Sequence, residues 1–495
     1  MSFTLASCAL FKQQAYHSGQ WLDAKDKKTF EVTNPATGDV LGTCPSLTEE
    51  DVENAISAAQ EAFRSWSAQT AAHRASVLKR WHGLILAHKE DLARIMTSEQ
   101  GKPITESRIE VDISAAYVEW FAEEARRVYG DVIPSPVGGR QTLVTKHPVG
   151  VAAAITPWNF PASMFTRKLA PALAAGCAMI VRPSERTPFV ALAFAALAEE
   201  AGLPPGVFSV LTGSSRRIVK VITESQTVRK ISFTGSTEVG KSLIKQSADT
   251  VKRMSMELGG NAPILIFDDC DIEAAISGLM ALKFRNAGQT CVCANRIFVQ
   301  NSIRDEVVAR FAERAAALKL GDGHAEDTDI GPLITPDAAQ KMHEIVQDAV
   351  KAGARIVTGG QMGCEDVAPN EKTAFYQPTV LTDVTPTMDV ARNEIFGPIA
   401  PVLGFDTEEE AIALANDTQY GLASYIYTQD LGRAWRVSDA LEYGMVGVNE
   451  VAISNEVAPF GGIKESGFGR EGSKYGIDEY LDIKYRCMGG LAKPA

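Results

Sequence analysis

The sequence is poor in cysteine, in aromatic residues and in long apolar segments. Its 495 residues include eight cysteines, and 7% of the residues are aromatic. The cysteines are sparse and irregularly spaced, which excludes a disulfide framework and leads us to expect a reducing compartment. The longest apolar run, residues 169–181, contains Pro171 and Gly176 and is too short to span a membrane. We therefore expect neither a disulfide-rich secreted protein nor a membrane protein.

Positive charge is also scarce. Lys and Arg number 49 against 61 Asp and Glu, which gives a net charge of -12. This balance provides no general electrostatic attraction to nucleic acid or to an anionic membrane. The N-terminal residues lack the basic flank and apolar stretch of a secretory signal, so we expect a cytoplasmic protein. An anionic small substrate would need cations placed locally at its site.

The composition that remains is that of a globular protein, with 45% hydrophobic and 22% charged residues. The length corresponds to about three domain-sized units. Thr48 precedes three acidic residues and an apolar stripe, which predicts a capped amphipathic helix, and a second helix is predicted at about residues 72–98. The segment 129–148 is rich in Gly and Pro, ends in an alternating stretch and predicts a projecting hairpin arm.

From residue 149 onward, short apolar runs alternate with helical patterns. This order predicts an α/β fold with an open parallel sheet, whose ligands bind beyond the carboxyl ends of the strands. A second α/β stretch follows at about residues 261–460. The predicted strands are 150–155, 178–181, 207–211, 230–233 and 264–267, and the predicted helices are 162–175, 187–202, 215–224 and 237–249.

Two segments match phosphate-binding motifs. Residues 235–242 satisfy the Walker A pattern after a predicted strand, and residues 264–269 resemble a Walker B strand, so a P-loop NTPase is one alternative. Residues 467–472 satisfy G-x-G-x-x-G but do not follow an apolar strand, so we interpret them as a glycine-rich turn. Both an NTPase and a dinucleotide enzyme would bring phosphate to a helix N-terminus through a glycine-containing turn.

Two residues are candidates for covalent and acid–base chemistry. Cys291 follows a polar, small-residue stretch, so its thiol is expected to be partly exposed, unlike that of Cys177. None of the seven histidines lies in these segments, which disfavours a Cys-His pair. Glu257 has apolar and glycine neighbours, which favour the raised pKa of a general base. The alternatives are a buried structural cysteine and a solvated surface glutamate.

Several segments together resemble the aldehyde dehydrogenase superfamily and, within it, the succinate-semialdehyde dehydrogenases. The resemblance covers nearly the whole chain. It implies a Rossmann-type cofactor domain (1–128 and 149–260), an α/β catalytic domain (261–461) and a β oligomerisation arm (129–148 and 476–495). It also implies a homotetramer built as a dimer of dimers, with a dimer as the alternative. The segments, in the family's order, are 157–161, 233–237, 257–261, 288–291, 394–398 and 459–467.

The resemblance also implies a mechanism. Cys291 attacks the aldehyde, while the amide of Asn159 and the backbone N–H of Cys291 hold the oxyanion. Hydride passes to the nicotinamide, and Glu257 activates the water that hydrolyses the thioester. Lys168 matches a family lysine near this site. The presence of Glu257 argues against a CoA-acylating relative, and the complete set argues against a non-catalytic descendant. No metal site is predicted.

For the cofactor, the resemblance implies NAD as the preferred dinucleotide, with NADP as the second. Glu185 would accept bonds from ribose hydroxyls and repel a 2′-phosphate. Arg182 stands where the family usually has lysine, two residues before Ser184, and would attract that phosphate. The other implied cofactor residues are Ile155, Thr156, Trp158, Gly235, Ser236, Leu258, Glu394 and Phe396.

For the substrate, the resemblance assigns Arg167 and Arg285, with Ser454 as a hydroxyl donor, to a distal anionic group. The predicted substrate is succinate semialdehyde. Glutarate semialdehyde and sulfolactaldehyde remain alternatives, because two arginines do not count methylenes or distinguish carboxylate from sulfonate. Cys293, two residues after the nucleophile, is a candidate redox partner, although a packing role is favoured.

Overall fold

The structure is a computed structural model that describes residues 5–363 and 374–491. Within these ranges no helix is long and apolar enough to cross a membrane. The strands are β1 Ala15–His17, β2 Gln20–Leu22, β3 Thr29–Thr33, β4 Val40–Pro45, β5 Asp131–Ile133, β6 Gln141–Pro148, β7 Val151–Ile155, β8 Ala178–Arg182, β9 Phe208–Val210, β10 Val228–Thr234, β11 Arg253–Glu257, β12 Ala262–Ile266, β13 Ala294–Gln300, β14 Arg355–Thr358, β15 Thr379–Thr382, β16 Ile399–Phe405, β17 Ala423–Tyr427, β18 Met445–Val448, β19 Gly467–Phe468 and β20 Leu481–Met488. The helices are α1 Glu49–Ser67, α2 Ala71–Ala87, α3 Lys89–Gln100, α4 Ile104–Glu124, α5 Ser163–Ala175, α6 Phe189–Glu200, α7 Ser215–Glu224, α8 Thr237–Ser247, α9 Ile272–Phe284, α10 Arg304–Ala316, α11 Pro336–Lys351, α12 Asp389–Arg392, α13 Glu408–Asn416, α14 Leu431–Ala440 and α15 Ser473–Asp478.

The N-terminal helices confirm one prediction and correct another. The Thr48 side chain accepts from the backbone N–H of Asp51, and the Asp51 carboxylate accepts from the backbone N–H of Thr48 in return, so α1 begins with the predicted cap. The single helix predicted at 72–98 is wrong, because α2 and α3 are separated at His88. His88 has φ -108° and ψ 19°, outside the helical region. The apolar stripe continues across this break, so hydrophobic periodicity alone did not reveal it.

The first large sheet has the order β19-β11-β10-β7-β8-β9-β1-β2. Its strands β7 to β10 confirm the predicted buried parallel set. The sequence analysis did not predict β11, whose polar and charged residues alternate with Met instead of forming an apolar run. This strand pairs parallel to β10 with Glu257 opposite Thr234. Glu257 therefore stands at the carboxyl edge of the sheet, where ligands of parallel sheets bind.

The second large sheet has the order β14-β15-β16-β13-β12-β17-β18. Strand β12 belongs here, although its apolar pattern is indistinguishable from that of the strands before it in the chain. Grouping it with the first parallel set is therefore wrong. Local hydrophobicity shows that a strand is buried on both faces, but it does not show which strands become its neighbours.

A smaller sheet has the order β20-β6-β5. Strands β5 and β6 pair as an antiparallel hairpin, and β6 pairs with β20 along its full length. Its apolar side chains are unusually open, since Val132 is 71%, Ile483 74% and Tyr485 62% exposed. Residues 492–495 of the predicted arm lie outside the described residues. A two-stranded sheet of β3 and β4 completes the described strands.

Helix α5 carries polar site residues into the core. Every residue of this helix is buried, including Arg167 and Lys168. Burial of a charged side chain is costly unless it is paired and hydrogen-bonded. Arg167 and Lys168 therefore require polar or charged groups placed next to them in the core.

Candidate active site

Three connected cavities lead from the surface to Cys291. The outer groove, of about 490 Å³, lies beyond the carboxyl ends of β7, β8 and β10. It shares Gly235 and Ser236 with a middle cavity of about 290 Å³. The middle cavity in turn shares Met164 and Cys291 with a narrow inner cavity of about 70 Å³. The thiol thus stands where two cavities meet, with one on each side of it.

The backbone before the nucleophile is strained. Asn286, Ala287 and Gly288 have φ values of 50°, 54° and 72°, so three successive residues are left-handed. For the two residues other than glycine, this conformation costs on the order of 1–3 kcal/mol each. Gly260 packs against the nucleophile from the first sheet's side, because a Cβ there would lie 2.3 Å from the carbonyl oxygen of Cys291. The surroundings of Cys291 are therefore held in one conformation.

Cys291 is partly exposed, as predicted. Burial raises the pKa of its thiol to about 12, and the carboxylates of Glu394 and Glu257 act in the same direction, whereas Arg167 and Arg285 oppose them. The free thiol is therefore protonated at neutral pH. It becomes a nucleophile only when its proton has been removed.

Glu257 ends β11 and is buried. Neither of its carboxylate oxygens has a hydrogen-bond partner within the described residues. Burial raises its pKa well above the ordinary value, with repulsion from Glu471 adding to the effect, while Lys168 opposes it. The predicted direction is confirmed. A carboxyl group shifted in this way, with both oxygens unpaired, is suited to exchange a proton.

Lys168 lies beside this carboxyl group. Its ammonium donates to Thr234 Oγ1 at 2.5 Å and pairs with Glu471. Sequence reasoning missed Glu471, a single glutamate in the glycine-rich segment 467–472. This segment is not the simple turn that was predicted, because Gly467–Phe468 form β19 antiparallel to β11 and Glu471 bridges to Phe460, while Gly467, Gly469 and Gly472 have positive φ values. The segment supplies a counter-ion for Lys168.

Asn159 follows β7 and lines the middle cavity together with Cys291. Its side-chain amide donates to the backbone carbonyl of Gln289 at 3.0 Å, and its Oδ1 has no partner among the described residues. The amide N–H groups therefore reach the loop that carries Cys291. A donor in this place is suited to stabilise a negative oxygen formed next to the thiol.

The inner cavity contains the three residues predicted to bind an anion. Buried Arg167 donates from Nη2 to Ser454 Oγ at 2.6 Å, but its Nε and Nη1 have no hydrogen-bond partner in the described chain. Its Nη1 lies 4.0 Å from Glu471. Arg285 is exposed at the mouth, with its guanidinium 5.3 Å from the centre of the Phe160 ring. Unpaired guanidinium N–H groups beside a reactive thiol indicate a site for an anionic group.

The outer groove has the chemistry of a dinucleotide site. Thr156 Oγ1 and Arg182 Nε are buried without a partner in the described chain, so two polar atoms at the groove are available to a ligand. Helix α8 begins at the groove with Ser236 as its capping residue, and a helix N-terminus favours phosphate. The residues present therefore fit a dinucleotide. The predicted residues that line this groove are Ile155, Thr156, Arg182, Ser184, Gly235 and Ser236.

Unlike the other predicted cofactor residues, Glu185 lines neither the outer groove nor the middle cavity. It is exposed beside the groove, and its carboxylate lies 3.5 Å from Arg182 Nη2. The same guanidinium nitrogen donates to the carbonyl oxygen of Gly213 at 3.1 Å. Part of the positive charge at Arg182 is therefore already compensated by Glu185.

The middle cavity brings together the remaining predicted cofactor residues, Trp158, Leu258, Glu394 and Phe396. The Trp158 and Phe396 rings meet edge to face at 5.6 Å, and Phe396 is held at a left-handed φ of 56°. Burial raises the pKa of Glu394 to about 7, although the backbone N–H of Gly260 donates to it. Lys341 of α11 also lines this cavity, and no sequence motif had indicated it.

The Walker A interpretation is wrong. Only Gly235 and Ser236 lie between β10 and α8, so Gly240 and Lys241 fall inside the helix instead of in a loop around phosphate. The Lys241 ammonium pairs with Glu465 at 2.7 Å on the surface. The supposed Walker B strand, β12, belongs to the other large sheet. The P-loop NTPase alternative is therefore discarded.

Cys293 lies behind the site. It is fully buried, and its sulfur lies 3.6 Å from the carbonyl oxygen of Lys283. It lines neither the inner nor the middle cavity. Within residues 5–363 and 374–491, no cluster of His, Cys, Asp and Glu could hold a metal ion.

Comparisons with known proteins agree with this geometry. A 3-sulfolactaldehyde dehydrogenase of Pseudomonas putida is 54% identical over 98% of both chains. A glutarate-semialdehyde dehydrogenase of Pseudomonas putida is 51% identical, covering 98% of this chain and 99% of the relative. An NADP(+) succinate-semialdehyde dehydrogenase of Escherichia coli is 52% identical, with 97% and 98% covered.

A solved aldehyde dehydrogenase from Brucella melitensis biovar abortus superposes with a TM-score of 0.96 at 54% identity. That comparison covers 98% of this chain and 99% of the solved one. The family model for aldehyde dehydrogenases matches residues 21–485. Because this match covers most of the chain and the relatives are about half identical along nearly its whole length, the chain belongs to the aldehyde dehydrogenase family.

Proposed function

We propose that this enzyme oxidises a short aldehyde with an anionic group at its far end, and that succinate semialdehyde is the preferred substrate. The observation that carries the proposal is the buried guanidinium of Arg167, which has N–H groups without a hydrogen-bond partner in the described chain and belongs to a residue that lines the inner cavity together with Cys291. Arg285 adds a second cation at the mouth of the same cavity. The relatives are named for sulfolactaldehyde, glutarate semialdehyde and succinate semialdehyde, and each of these aldehydes carries such a distal anionic group.

In the first half-reaction, the Cys291 thiol gives up its proton to solvent, and the resulting thiolate adds to the aldehyde carbon. The side-chain amide of Asn159 and the backbone N–H of Cys291 stabilise the resulting oxyanion. NAD(P), when bound, supplies the acceptor for the hydride that leaves this carbon. Leu258 and the Trp158–Phe396 pair shape the cavity that would receive the nicotinamide end, and Glu394 lies where it can accept from ribose hydroxyls. Loss of hydride leaves the acyl group on Cys291 as a thioester.

In the second half-reaction, Glu257 takes a proton from water, which attacks the thioester carbonyl. The carboxylic acid leaves and the Cys291 thiolate is restored. The neighbouring charges of Lys168 and Glu471 adjust the pKa of Glu257. This base, built into the site, supports hydrolysis of the thioester instead of transfer to coenzyme A.

For the cofactor, we propose NAD as the preferred dinucleotide and NADP as a second one. Glu185 supports this order because its carboxylate would repel a 2′-phosphate and because it already pairs with Arg182. Family membership by itself indicates only NAD(P), and the Escherichia coli relative carries NADP(+) in its name. The ratio of kcat/KM with NAD and NADP decides between them, and a clear NADP preference would refute the order.

The test of substrate class is an aldehyde panel followed by absorbance of the reduced cofactor. Succinate semialdehyde, glutarate semialdehyde and sulfolactaldehyde would be compared with butanal, which matches succinate semialdehyde in length but carries no charge. We expect the highest kcat/KM with succinate semialdehyde, and a value at least about tenfold lower with butanal. Equal efficiency with butanal would contradict an anion site, whereas a preference for another anionic aldehyde would correct only the chain length or head group.

We also propose that the enzyme is a homotetramer assembled as a dimer of dimers. The β20-β6-β5 sheet supports this, because it exposes apolar side chains such as Val132 and Ile483 and has free edges that a neighbouring subunit would cover. Light scattering measures the assembled mass against the 53.3 kDa chain. A monomeric mass would contradict the proposal.

A further inference from the structure

A buried ion pair lies directly behind Asn159. Lys102, which follows α3, is inaccessible to solvent, and its ammonium donates to Glu110 Oε2 at 2.6 Å and to the backbone carbonyl of Asn159 at 2.7 Å. Glu110 Oε1 accepts from the backbone N–H groups of Ala162 and Ser163 at 2.9 and 3.0 Å. The pair therefore grips the chain at Asn159 and again at the start of α5.

A second carboxyl group on α4, the helix that carries Glu110, binds the loop that carries Cys291. Glu106, one turn before Glu110 on α4, accepts from the backbone N–H of Asn286 at 2.9 and 3.1 Å. Asn286 is the first left-handed residue before Cys291, and its side-chain amide donates to the carbonyl of Asn159 at 2.8 Å. Gln100 Nε2 donates to Asn286 Oδ1 at 2.8 Å. Helix α4 thus connects the loop carrying Asn159 with the loop carrying Cys291.

We propose that Lys102, Glu110 and Glu106 form a brace that positions the amide of Asn159 relative to Cys291. The inference rests on the proposed function, since it assumes that Asn159 stabilises the oxyanion. An oxyanion donor is effective only within a narrow distance of the developing charge, and it must be held there before the reaction. The loop with Asn159 follows β7 of the first sheet, whereas the loop with Cys291 follows α9 and leads into β13 of the second sheet, so neither sheet alone sets their separation.

Stability alone does not explain the ion pair. A buried pair commonly contributes no more to stability than apolar residues of similar volume. Here Lys102 and Glu110 form their other hydrogen bonds with the backbone at Asn159, Ala162 and Ser163. Lys102 itself lines neither the inner nor the middle cavity, whereas Glu110 and Glu106 line the inner cavity, so an experiment must separate an effect through Asn159 from an effect on that cavity. Lys102 is a positioning residue.

A double-mutant cycle tests this route. In the enzyme with Asn159 intact, Lys102→Met should lower kcat by roughly 10- to 100-fold with little change in the KM for aldehyde, which is less than the loss of an entire oxyanion donor. In an Asn159→Ala background, the same replacement should change kcat by less than about twofold, because the group being positioned is gone. An equal loss in both backgrounds, or no loss in the first, would overturn the brace.

Folding is controlled by a second variant. Lys102→Met leaves Glu110 buried and unpaired, which is destabilising, so the cycle is repeated with the charge-neutral pair Lys102→Met/Glu110→Gln. The matched control is Lys89→Met. Lys89 of α3 forms an ion pair of 2.5 Å with Asp112 on α4, the helix that carries Glu110, and this pair lies away from the cavities. The replacement should leave kcat within about twofold. A loss in this control as large as that of Lys102→Met would refute a specific role for the brace.

Alkylation of Cys291 by iodoacetamide separates the brace from a general disturbance of the site, because this reaction forms no oxyanion. We expect its rate to stay within about twofold of wild type in the Lys102 variants. A fall in alkylation parallel to kcat would mean that the thiol, and not Asn159, has moved. A wild-type enzyme that oxidises no aldehyde would remove the proposed function, whereas an active wild type with an additive cycle would remove only the brace.

Discussion

Replacing Arg285 by alanine tests whether the inner cavity selects anionic aldehydes. Arg285 is exposed at the cavity mouth and, within the described chain, forms no ion pair with a carboxylate. Its charge is therefore available to a substrate. Removing it should leave Arg167, Ser454 and the thiol in place, so the enzyme should still turn over aldehydes that carry no charge.

The magnitude follows from the exposure of the guanidinium. Two unit charges about 4 Å apart attract by about 1 kcal/mol in bulk water and by about 4 kcal/mol near a protein surface. Because Arg285 is exposed at a cavity mouth, we take about 2 kcal/mol, which corresponds to a factor of about 30. The KM for succinate semialdehyde should rise by this factor, while the KM for butanal should change by less than about twofold.

The assay is the initial rate of cofactor reduction with each aldehyde at saturating dinucleotide. Arg355→Ala is the matched control. Arg355 is an exposed arginine of β14 that pairs with Asp383, and it lines none of the three cavities. Added salt should weaken binding of succinate semialdehyde in wild type and have less effect in Arg285→Ala. An equal rise in KM for both aldehydes would refute the reasoning.

Four further predictions concern the catalytic machinery and the discarded motif. Glu257→Gln should release about one reduced cofactor per site and then turn over at least about 100-fold more slowly, as rapid mixing would show. Because burial raises the pKa of Glu257, its carboxyl stays protonated to a higher pH than an ordinary glutamate, so wild-type kcat should increase as the pH rises through this raised pKa, and a pH profile of Glu257→Gln should lack that rise. Gly260→Ala should lower Cys291 alkylation and activity together, because the new Cβ would stand 2.3 Å from the Cys291 carbonyl oxygen. Lys241→Ala should keep aldehyde oxidation within about twofold, since its pair with Glu465 is on the surface, and a large loss would revive a phosphate role for Lys241.

The sequence predicted best what local chemistry determines. The capped helix α1 and the strands β7 to β10 were predictable because capping and continuous apolar runs are local properties. Strand β11 was missed because its residues alternate between polar side chains and Met, although it carries Glu257. The helix break at His88 was missed because the apolar stripe continues on both sides.

The candidate site residues show the same difference between local patterns and contacts distant along the chain. Cys291, Glu257 and Asn159 were found because they stand in short segments with distinctive residue order. Glu471 and Lys341 were missed because each is a lone charged residue without a motif around it. Their importance comes only from what the fold places beside them, which no window along the chain contains.

By itself the sequence determined the composition of a globular α/β protein and the family resemblance, and it predicted the reactive groups. It also excluded a general attraction to polyanions, since the net charge is -12. Only the tertiary structure decided that residues 235–242 form a two-residue turn and a helix, that β12 leaves the first sheet, and that Lys102 reaches the carbonyl of Asn159. The reason is that pKa shifts, unpaired guanidinium groups and loop positions depend on burial and on partners distant along the chain.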